Sequence, residues 1–278
     1  MFKNLNVRAL GHKATFEETV KLASEYGFAG VDTDLDYAKE HGVAAVKSLL
    51  AGHKLKLGGF SLSVKWREGD SDRDFAESLG NFTTECKIAA ELGVTRCNTY
   101  VWPASNTLSY HEHFKRFVTR MKPVAQILNA YGQSLGLEFI GPRTMRASQK
   151  HGFIHTMDGM RAAAAAIGTG NVGFLLDCWH WYTAQSTVSD IEQLDAKEVI
   201  YVHINDAPKG VGVNDQVDNK RELPVTGVID LKGFFGALRK IGYEGPLTVE
   251  PFNQPLRDMK LDAAVKAASV ALDAALKL

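Results

Sequence analysis

Four polar residues stand at the ends of four strongly apolar runs, where their side chains can act together. They are Glu138, Asp177, His203 and Glu250. Each follows a run rich in Leu, Ile or Val, as expected at the place where a buried strand stops. Three carboxylates and one imidazole form a ligand set that suits Mn²⁺, Mg²⁺ or Co²⁺ better than metals that prefer thiolates. The sequence predicts a site for one divalent metal ion, with Mn²⁺ most favoured and Zn²⁺ also possible.

Each of the four residues also has an ordinary structural interpretation. A single Asp or Glu at the end of a strand is usually a turn residue or a helix N-cap, and a lone histidine is usually a hydrogen-bonded, half-buried side chain. Four such groups at four strand ends are different, because their buried charge is uncompensated without a cation or a hydrogen-bond network. The combination therefore favours a metal site.

The elements that would position these residues follow from an alternation of short strand patterns and longer helical patterns. The predicted strands cover residues 5–9, 30–34, 57–61, 96–101, 137–140, 173–177, 199–204 and 247–250. The predicted helices cover residues 15–26, 36–51, 72–92, 110–131, 155–167, 189–194, 231–241 and an amphipathic tail at 261–278. Residues 205–230, rich in Gly, Asp, Asn and Pro, are predicted to form a long loop over the site.

Regular alternation of strand and helix implies parallel strands joined by right-handed crossovers. Eight such units favour a closed (β/α)₈ TIM barrel, an α/β fold, because closure removes the exposed sheet edges. We predict one domain over residues 1–278, in which the four polar strand ends meet at one mouth. A doubly wound open sheet is the alternative, but no GxGxxG turn follows the first strand and there is no GxxxxGK[ST] loop.

The composition makes several other kinds of protein unfavourable. Lys plus Arg and Asp plus Glu are both 32, so no overall cationic field attracts nucleic acid. Cys86, Cys97 and Cys178 show no CxxC spacing, which favours reduced thiols in a cytoplasmic protein. No apolar run has the length of a signal peptide core or a membrane span. We expect no nucleic-acid or membrane partner, a small-molecule substrate, and a homo-oligomer as one option.

The pattern of Glu138, Asp177-x-x-His180, His203 and Glu250 resembles the xylose-isomerase-like barrel superfamily. This superfamily holds sugar and sugar-phosphate isomerases and epimerases, inosose dehydratases and apurinic endonucleases. The resemblance covers essentially the whole chain and is most specific over residues 135–252. It implies that the four strand-end residues are the metal ligands. It also implies that His180, three positions after the ligand Asp, contacts the substrate.

The same resemblance implies an isomerase or epimerase acting on a carbohydrate. In this interpretation Glu138 and Glu250 are catalytic and move a proton beside the substrate carbonyl, through an enediolate. The epimerases also have a cationic residue six positions after the ligand His. That position is Lys209 here, where Arg is common, and Lys does not reproduce a bidentate clamp.

Three further residues are candidate substrate contacts on their residue type and position. Arg143 follows Glu138 across a Gly-Pro turn, Arg221 lies in the long loop, and Trp102 follows the fourth predicted strand. Either arginine can bind hydroxyl, carboxylate or phosphate groups, and the indole can stack on a sugar ring. An exposed surface role for each arginine, or a packing role for the tryptophan, is an equally good interpretation.

Other functions stay open at this point. A lyase that removes water from a keto-sugar, a keto-glycoside or an inosose begins with the same proton abstraction, so the four ligands do not separate it from an isomerase. A nuclease resembling the apurinic endonucleases is a remote alternative, because the third and fourth predicted strands end without the histidines of a three-zinc site. A barrel that only binds a ligand is a further alternative.

Overall fold

The computed structural model describes all 278 residues. The strands are β1 Phe2–Leu5, β2 Gly30–Val31, β3 Lys56–Leu57, β4 Phe60–Ser61, β5 Arg96–Val101, β6 Ala104–Ser105, β7 Ser134–Phe139, β8 His151–Gly152, β9 Val172–Asp177, β10 Val199–Ile204 and β11 Pro246–Val249. The helices are α1 Phe16–Glu25, α2 Leu35–His41, α3 Val43–His53, α4 Asp72–Glu91, α5 Tyr110–Ala130, α6 Arg143–Arg146, α7 Met157–Ile167, α8 Cys178–Thr183, α9 Val188–Glu192, α10 Leu231–Lys240, α11 Gln254–Asp258 and α12 Leu261–Ala275. β6 and β8 form a separate antiparallel pair.

The main sheet closes into a barrel through an interrupted third strand. β3 pairs with β2 and β4 pairs with β5, and only Gly58 and Gly59 separate β3 from β4. At the interruption Gly58 N donates to Val31 O and Thr33 N donates to Gly59 O, both at 2.8 Å. The strand order β3-β2-β1-β11-β10-β9-β7-β5-β4 therefore begins and ends in the same barrel strand. The result is eight parallel barrel strands, which confirms the predicted (β/α)₈ TIM barrel.

Most predicted elements differ from the structure by a few residues, and two of the differences have a clear physical cause. β1 ends at Leu5, where the predicted strand 5–9 begins, because Asn6 Oδ1 accepts hydrogen bonds from the backbone N–H groups of Arg8 and Ala9 and turns the chain. The helix predicted at 36–51 is divided into α2 and α3 at Gly42, whose φ of 84° is incompatible with a continuous helix.

The helices surround the barrel, and several begin at a side-chain cap. Ser109 starts α5 with a capping box, in which Glu112 bonds back to the Ser109 backbone. A cluster of 61 buried apolar residues joins the helices to the strands. Residues 205–230 form the predicted loop, with only two short 3₁₀ helices, Val213–Asp215 and Asp218–Lys220. None of the helices combines the length and the apolar character that crossing a membrane requires.

A polar layer fills the barrel interior beneath the carboxyl ends of the strands. The Tyr201 hydroxyl donates to Asp32 Oδ1 at 2.7 Å, accepts from Asn4 Nδ2 at 2.8 Å and lies 2.6 Å from Thr248 Oγ1. Gly58 makes room for this layer, since a Cβ there would lie 2.4 Å from Asn4 Oδ1. Tyr201 and His203 lie two residues apart on β10, so both point into the barrel. The layer therefore supports the residues at the mouth.

A substitution in β9 tests the close packing of the barrel strands. A Cβ at Gly173 would lie 2.2 Å from the backbone oxygen of Glu198, which cannot move like a flexible side chain. We expect Gly173→Ala to lower the free energy of unfolding by about 1–3 kcal/mol, measured by urea denaturation. Gly80→Ala in α4 is the control, because its Cβ meets nothing within 4 Å and alanine raises helix propensity by up to about 1 kcal/mol. Equal stability of the two variants would contradict this account.

Candidate metal centre

The structure brings the four predicted metal ligands together at the barrel mouth. Glu138 lies near the end of β7, Asp177 ends β9, His203 lies near the end of β10, and Glu250 directly follows β11. These four strands are neighbours in the order β7-β9-β10-β11. One potential ligand atom from each side chain lies within 4.8 Å of those of the other three. Four local sequence patterns thus become one cluster through the sheet topology.

Local structure orients each of these side chains. Asp177 is also the N-cap of α8, and its Oδ1 accepts a hydrogen bond from Trp179 N at 2.7 Å. The N-cap interpretation of this residue is therefore confirmed, while its Oδ2 is turned toward the cluster, 3.8 Å from His203 Nδ1. Glu250 N donates to Ile204 O at 3.2 Å, and Pro251 follows without an N–H group. The sheet pairing consequently stops at the glutamate.

The distances within the cluster suit a single small cation. His203 Nδ1 lies 3.1 Å from Glu138 Oε1, 3.1 Å from Glu250 Oε2 and 3.8 Å from Asp177 Oδ2. Ligands that are each about 2.0–2.4 Å from one ion lie at most about 4.8 Å apart, which is the spread observed here. The cluster is largely buried, with at most 12% of any of the four side chains exposed. The oxygen-rich donor set and its geometry therefore fit a divalent metal ion.

Arg221 completes this cluster and was predicted only as a loop residue with a possible substrate contact. Its Nη1 donates to Asp177 Oδ2 at 2.8 Å and to Glu250 Oε2 at 2.9 Å. Its Nη2 donates to Asp218 Oδ1 at 2.7 Å, and the Phe252 ring lies 4.7 Å from the guanidinium carbon. Arg221 is only 1% exposed. It therefore compensates two of the three carboxylates of the cluster.

Asp206 holds the loop that carries Arg221, and the sequence analysis assigned it no role. It is fully buried and pairs its backbone with Glu222 through two 2.8 Å hydrogen bonds. Its carboxylate accepts hydrogen bonds from the N–H groups of Ala207, Gly227 and Ile229. The only signal in the sequence is an Asp three positions after the predicted ligand His203, at the start of a loop. That signal does not identify the distant partners Glu222, Gly227 and Ile229.

The other predicted substrate contacts are divided between the site and the surface. His180 is fully buried in α8, with its Nε2 3.1 Å from Arg221 Nη2, and thus belongs to the site. Lys209 and Arg143 have exposed side chains. Trp102 is 39% exposed and follows the carboxyl end of β5. The buried cation beside the ligands is therefore Arg221, and Lys209, which the resemblance indicated, lies at the surface.

Burial and mutual charge shift the pKa values of the clustered groups in opposite directions. Burial raises the pKa of Glu138 to about 8, with the charges of Glu250 and Asp177 acting in the same sense. Burial alone would lower the pKa of His203, but the adjacent Glu250 and Glu138 raise it well above its usual range. For Glu250, burial acts to raise the pKa, but His203 and Arg221 outweigh it and lower the value. Without a metal, the cluster thus retains protons at neutral pH.

His180 differs from His203 in its protonation. Burial, reinforced by the charge of Arg221, lowers the pKa of His180 to about 3. The side chain is therefore neutral near pH 7. Its Nδ1 accepts a hydrogen bond from Gly141 N at 3.2 Å, so the neutral ring carries its proton on Nε2, the nitrogen next to Arg221.

The sequence profile of the family described as Xylose isomerase-like TIM barrel matches residues 20–273, and the chain belongs to this family. Among characterised relatives, the inosose isomerase of Bacillus velezensis is 21% identical over 266 residues, which are 94% of this chain and 92% of the relative. The 3-dehydroshikimate dehydratase of Pseudomonas aeruginosa is 32% identical over 88 residues, which are 31% of this chain and 14% of that protein.

Solved structures agree with the family. A xylose isomerase domain protein from Alicyclobacillus acidocaldarius superposes with a TM-score of 0.85 at 29% identity, over 96% of this chain and 95% of the other. The IolI protein, solved with a zinc atom, gives a TM-score of 0.82 at 20% identity, over 100% of this chain and 98% of its own. The second similarity shows the shared fold.

Removal of the imidazole tests the ligand set. We expect the protein to bind one divalent ion per chain, and His203→Ala to weaken Mn²⁺ binding by at least about 100-fold, because loss of a direct ligand should exceed the cost of losing an outer partner. Bound metal is measured by elemental analysis after equilibrium dialysis. His155→Ala provides the matched control, since His155 lies outside the cluster. Unchanged stoichiometry in His203→Ala would exclude this site.

The pH dependence of metal binding follows from the raised pKa values. Because the pKa of Glu138 is about 8 and that of His203 is well above its usual range, ligation must displace protons at neutral pH. We therefore expect the affinity for Mn²⁺ to rise as the pH increases toward and through the pKa of Glu138. Calorimetry in buffers of different ionisation enthalpy measures the protons released. Binding without proton release would show that these groups are already deprotonated in the free protein.

Proposed function

We propose that this protein is a divalent-metal-dependent isomerase or epimerase that moves a proton beside the carbonyl of a keto-sugar or keto-inositol. The main supporting observation is the pair of glutamates, each 3.1 Å from His203 Nδ1. They come from β7 and β11, the outer members of four neighbouring strands, so they approach the site from different sides. The relatedness to inosose isomerases over nearly the whole chain also supports this reaction class.

Glu138, Asp177, His203 and Glu250 would hold the ion. Once bound, the metal supplies Lewis acidity that polarises the substrate carbonyl. The oxygen-rich ligand set favours Mn²⁺, with Mg²⁺, Co²⁺ and Zn²⁺ as alternatives. The zinc in the IolI structure supports the inclusion of Zn²⁺.

The two glutamates perform the proton transfer in this proposal. One carboxylate removes the proton from the carbon next to the carbonyl, which leaves an enediolate. The other carboxyl group returns a proton to the opposite face of the same carbon, which gives an epimer, or to the neighbouring carbon. The second outcome gives an isomer, because the hydroxyl proton passes at the same time to the former carbonyl oxygen. Placement on two sides of the site allows each glutamate to serve a different face.

Two buried residues orient the reacting groups. Arg221 bridges Asp177 and Glu250, so it restrains a ligand and a catalytic carboxylate in one geometry. His180 lies beside it and, as a neutral imidazole, binds a substrate hydroxyl. Lys209, Arg143 and Trp102 keep the role predicted from the sequence, as exposed groups that contact the outer part of the substrate. The loop 205–230, which buries Arg221 beside the cluster, also limits access of water to the enediolate.

A dehydratase is the second candidate, supported by the match to 3-dehydroshikimate dehydratase over 88 residues. Elimination begins with the same proton abstraction and then requires a hydroxyl group to leave from the adjacent carbon. The same glutamates and ligands would serve it. The product distinguishes the two reactions, since elimination lowers the substrate mass by one water.

Conversion of each catalytic glutamate to glutamine tests the proposed mechanism. An amide oxygen still coordinates a metal but cannot accept a proton, so Glu250→Gln should keep much of the bound metal and lose about 10²–10⁴ in turnover. Glu138→Gln should stop the exchange of the proton on the other side of the substrate. Asp177→Asn should act mainly through metal loss and be partly rescued by excess Mn²⁺. Bound metal and deuterium incorporation into an inosose in D₂O are measured side by side.

Glu91→Gln gives the matched control, because Glu91 is exposed at the end of α4. It should retain both metal and turnover. Near-normal turnover of metal-loaded Glu250→Gln would show that Glu250 acts only as a ligand, and would contradict the two-glutamate mechanism. A product that has lost water would show that the protein is a dehydratase, the second candidate.

A further inference from the structure

The mouth of the barrel contains a cavity on the side away from the predicted metal ligands. It has a volume of about 290 Å³ and lies at the carboxyl ends of β1, β2 and β4. Its polar lining includes Asn6, Arg8, Asp32, Ser61 and Ser63. This volume is close to the lower end of the range for small-molecule sites, which begins at about 300 Å³. It is large enough for one part of a sugar-sized ligand.

Asp32 links this cavity to the metal centre. The residue directly follows β2 and lines the cavity. Its Oδ1 accepts a hydrogen bond from the Tyr201 hydroxyl at 2.7 Å, and the Tyr201 ring lies edge-on to the His203 ring at a centroid distance of 5.5 Å. One side chain therefore separates Asp32 from a metal ligand. Asp32 is therefore the lining residue that bonds to the layer beneath the metal cluster.

The hydrogen bonds of Asp32 leave acceptor capacity toward the cavity. Its Oδ1 accepts from Asn4 Nδ2 and Tyr201, whereas its Oδ2 accepts only from Asn6 Nδ2 at 2.9 Å. A carboxylate oxygen has two lone pairs, so Oδ2 can accept one more hydrogen bond. All three partners are neutral, which leaves the charge of Asp32 without a cation at hydrogen-bond distance. A hydroxyl group is the donor that this position suits.

The remaining lining groups select against anions. Carboxylates in the lining (Asp32, Asp34, Asp36, Glu85) outnumber its single cation, Arg8. Lys39 neutralises part of this charge from outside the lining, through ion pairs with Asp36 and Glu85. Thr33 also lines the cavity, and its buried hydroxyl oxygen has no hydrogen-bond partner in the protein. Hydroxyls and carboxylates together match a ligand with many hydroxyl groups and repel a phosphate or carboxylate.

We propose that this cavity is the distal part of the substrate site and that it binds the hydroxyl groups of an uncharged polyol. Asp32 accepts a hydrogen bond from one of these hydroxyl groups. The substrate of the proposed isomerase is then an uncharged polyhydroxylated ketone, and ketones with a phosphate or a carboxylate are excluded. This assignment rests on the proposed function for the presence of the carbonyl, but the binding of the polyol part does not.

Binding of a probe without a carbonyl tests the cavity separately from catalysis. The Mn²⁺-loaded full chain is titrated with myo-inositol and with myo-inositol 1-phosphate by calorimetry. We expect the uncharged polyol to bind at least about tenfold more tightly than its phosphate, and Asp32→Asn to weaken it by about tenfold, as for loss of a hydrogen bond to a charged acceptor. Asp158→Asn is the matched control, because Asp158 is exposed at the start of α7.

A second variant guards against indirect effects of Asp32→Asn on Tyr201 and the barrel interior. Ser61 is exposed and lines the cavity, so Ser61→Trp should fill the cavity and abolish myo-inositol binding. Bound metal and the urea midpoint should stay unchanged. Equal or tighter binding of the phosphate, unaltered binding to both variants, or no binding of myo-inositol at millimolar concentration would overturn the proposal.

Deuterium exchange on keto substrates separates the failure of this proposal from the failure of the proposed function. If polyol binding depends on Asp32 but no ketone exchanges, the cavity assignment stands and the isomerase assignment falls. If exchange occurs and is fastest with D-fructose 6-phosphate compared with D-fructose, the isomerase assignment stands and the cavity assignment falls.

Discussion

Three buried carboxylates face one another across a single imidazole nitrogen, and most features of the barrel mouth follow from the need to compensate their charge. Like charges at this separation raise one another's free energy, and burial removes the water that would screen them. Two basic residues partly compensate this negative charge. His203 lies 3.1 Å from two glutamates, and Arg221 bridges Asp177 and Glu250. Glu138 has no hydrogen bond to Arg221, and burial, together with the charges of Glu250 and Asp177, raises its pKa. A divalent ion would provide the remaining positive charge, so the incompletely compensated carboxylates favour metal binding.

The layer beneath the cluster makes this arrangement rigid. Tyr201 is fully buried and hydrogen-bonds to groups from three other parts of the barrel, namely Asn4, Asp32 and Thr248. Gly58 leaves space for Asn4, since a Cβ there would lie 2.4 Å from Asn4 Oδ1, and Gly59 lets the backbone approach the Tyr201 ring. Hydrogen bonds from several strands restrain the Tyr201 hydroxyl, because its displacement would leave buried groups unpaired. The His203 ring packs edge-on against the Tyr201 ring at a centroid distance of 5.5 Å, so this network restrains His203 as well.

The two halves of the mouth have distinct chemistry. The candidate metal ligands lie on or directly after β7, β9, β10 and β11, whereas β1, β2 and β4 border a cavity with hydroxyl, amide and carboxylate groups. Asp32 and Tyr201 connect the two sides through a hydrogen bond, and Arg221 brings its loop against the candidate ligands. In the proposed function the first side would carry the reaction and the second would recognise the substrate, which the barrel permits because different strand ends contribute to each.

Much of this could be predicted from the amino-acid sequence, because the relevant signals are local. Alternating strand and helix patterns predicted the eight-stranded barrel, and a polar residue at the end of each late apolar run predicted the four clustered side chains. Only the tertiary structure determined which basic side chain of the loop contacts these four residues. Lys209 and Arg221 lie in the same loop, and no local pattern shows that one is exposed and the other buried. The path of that loop depends on Asp206, which bonds to N–H groups about twenty residues away, and on Asn253, whose Nδ2 donates to Arg221 O. Such contacts join segments that are distant in the chain, so only the folded molecule determines them.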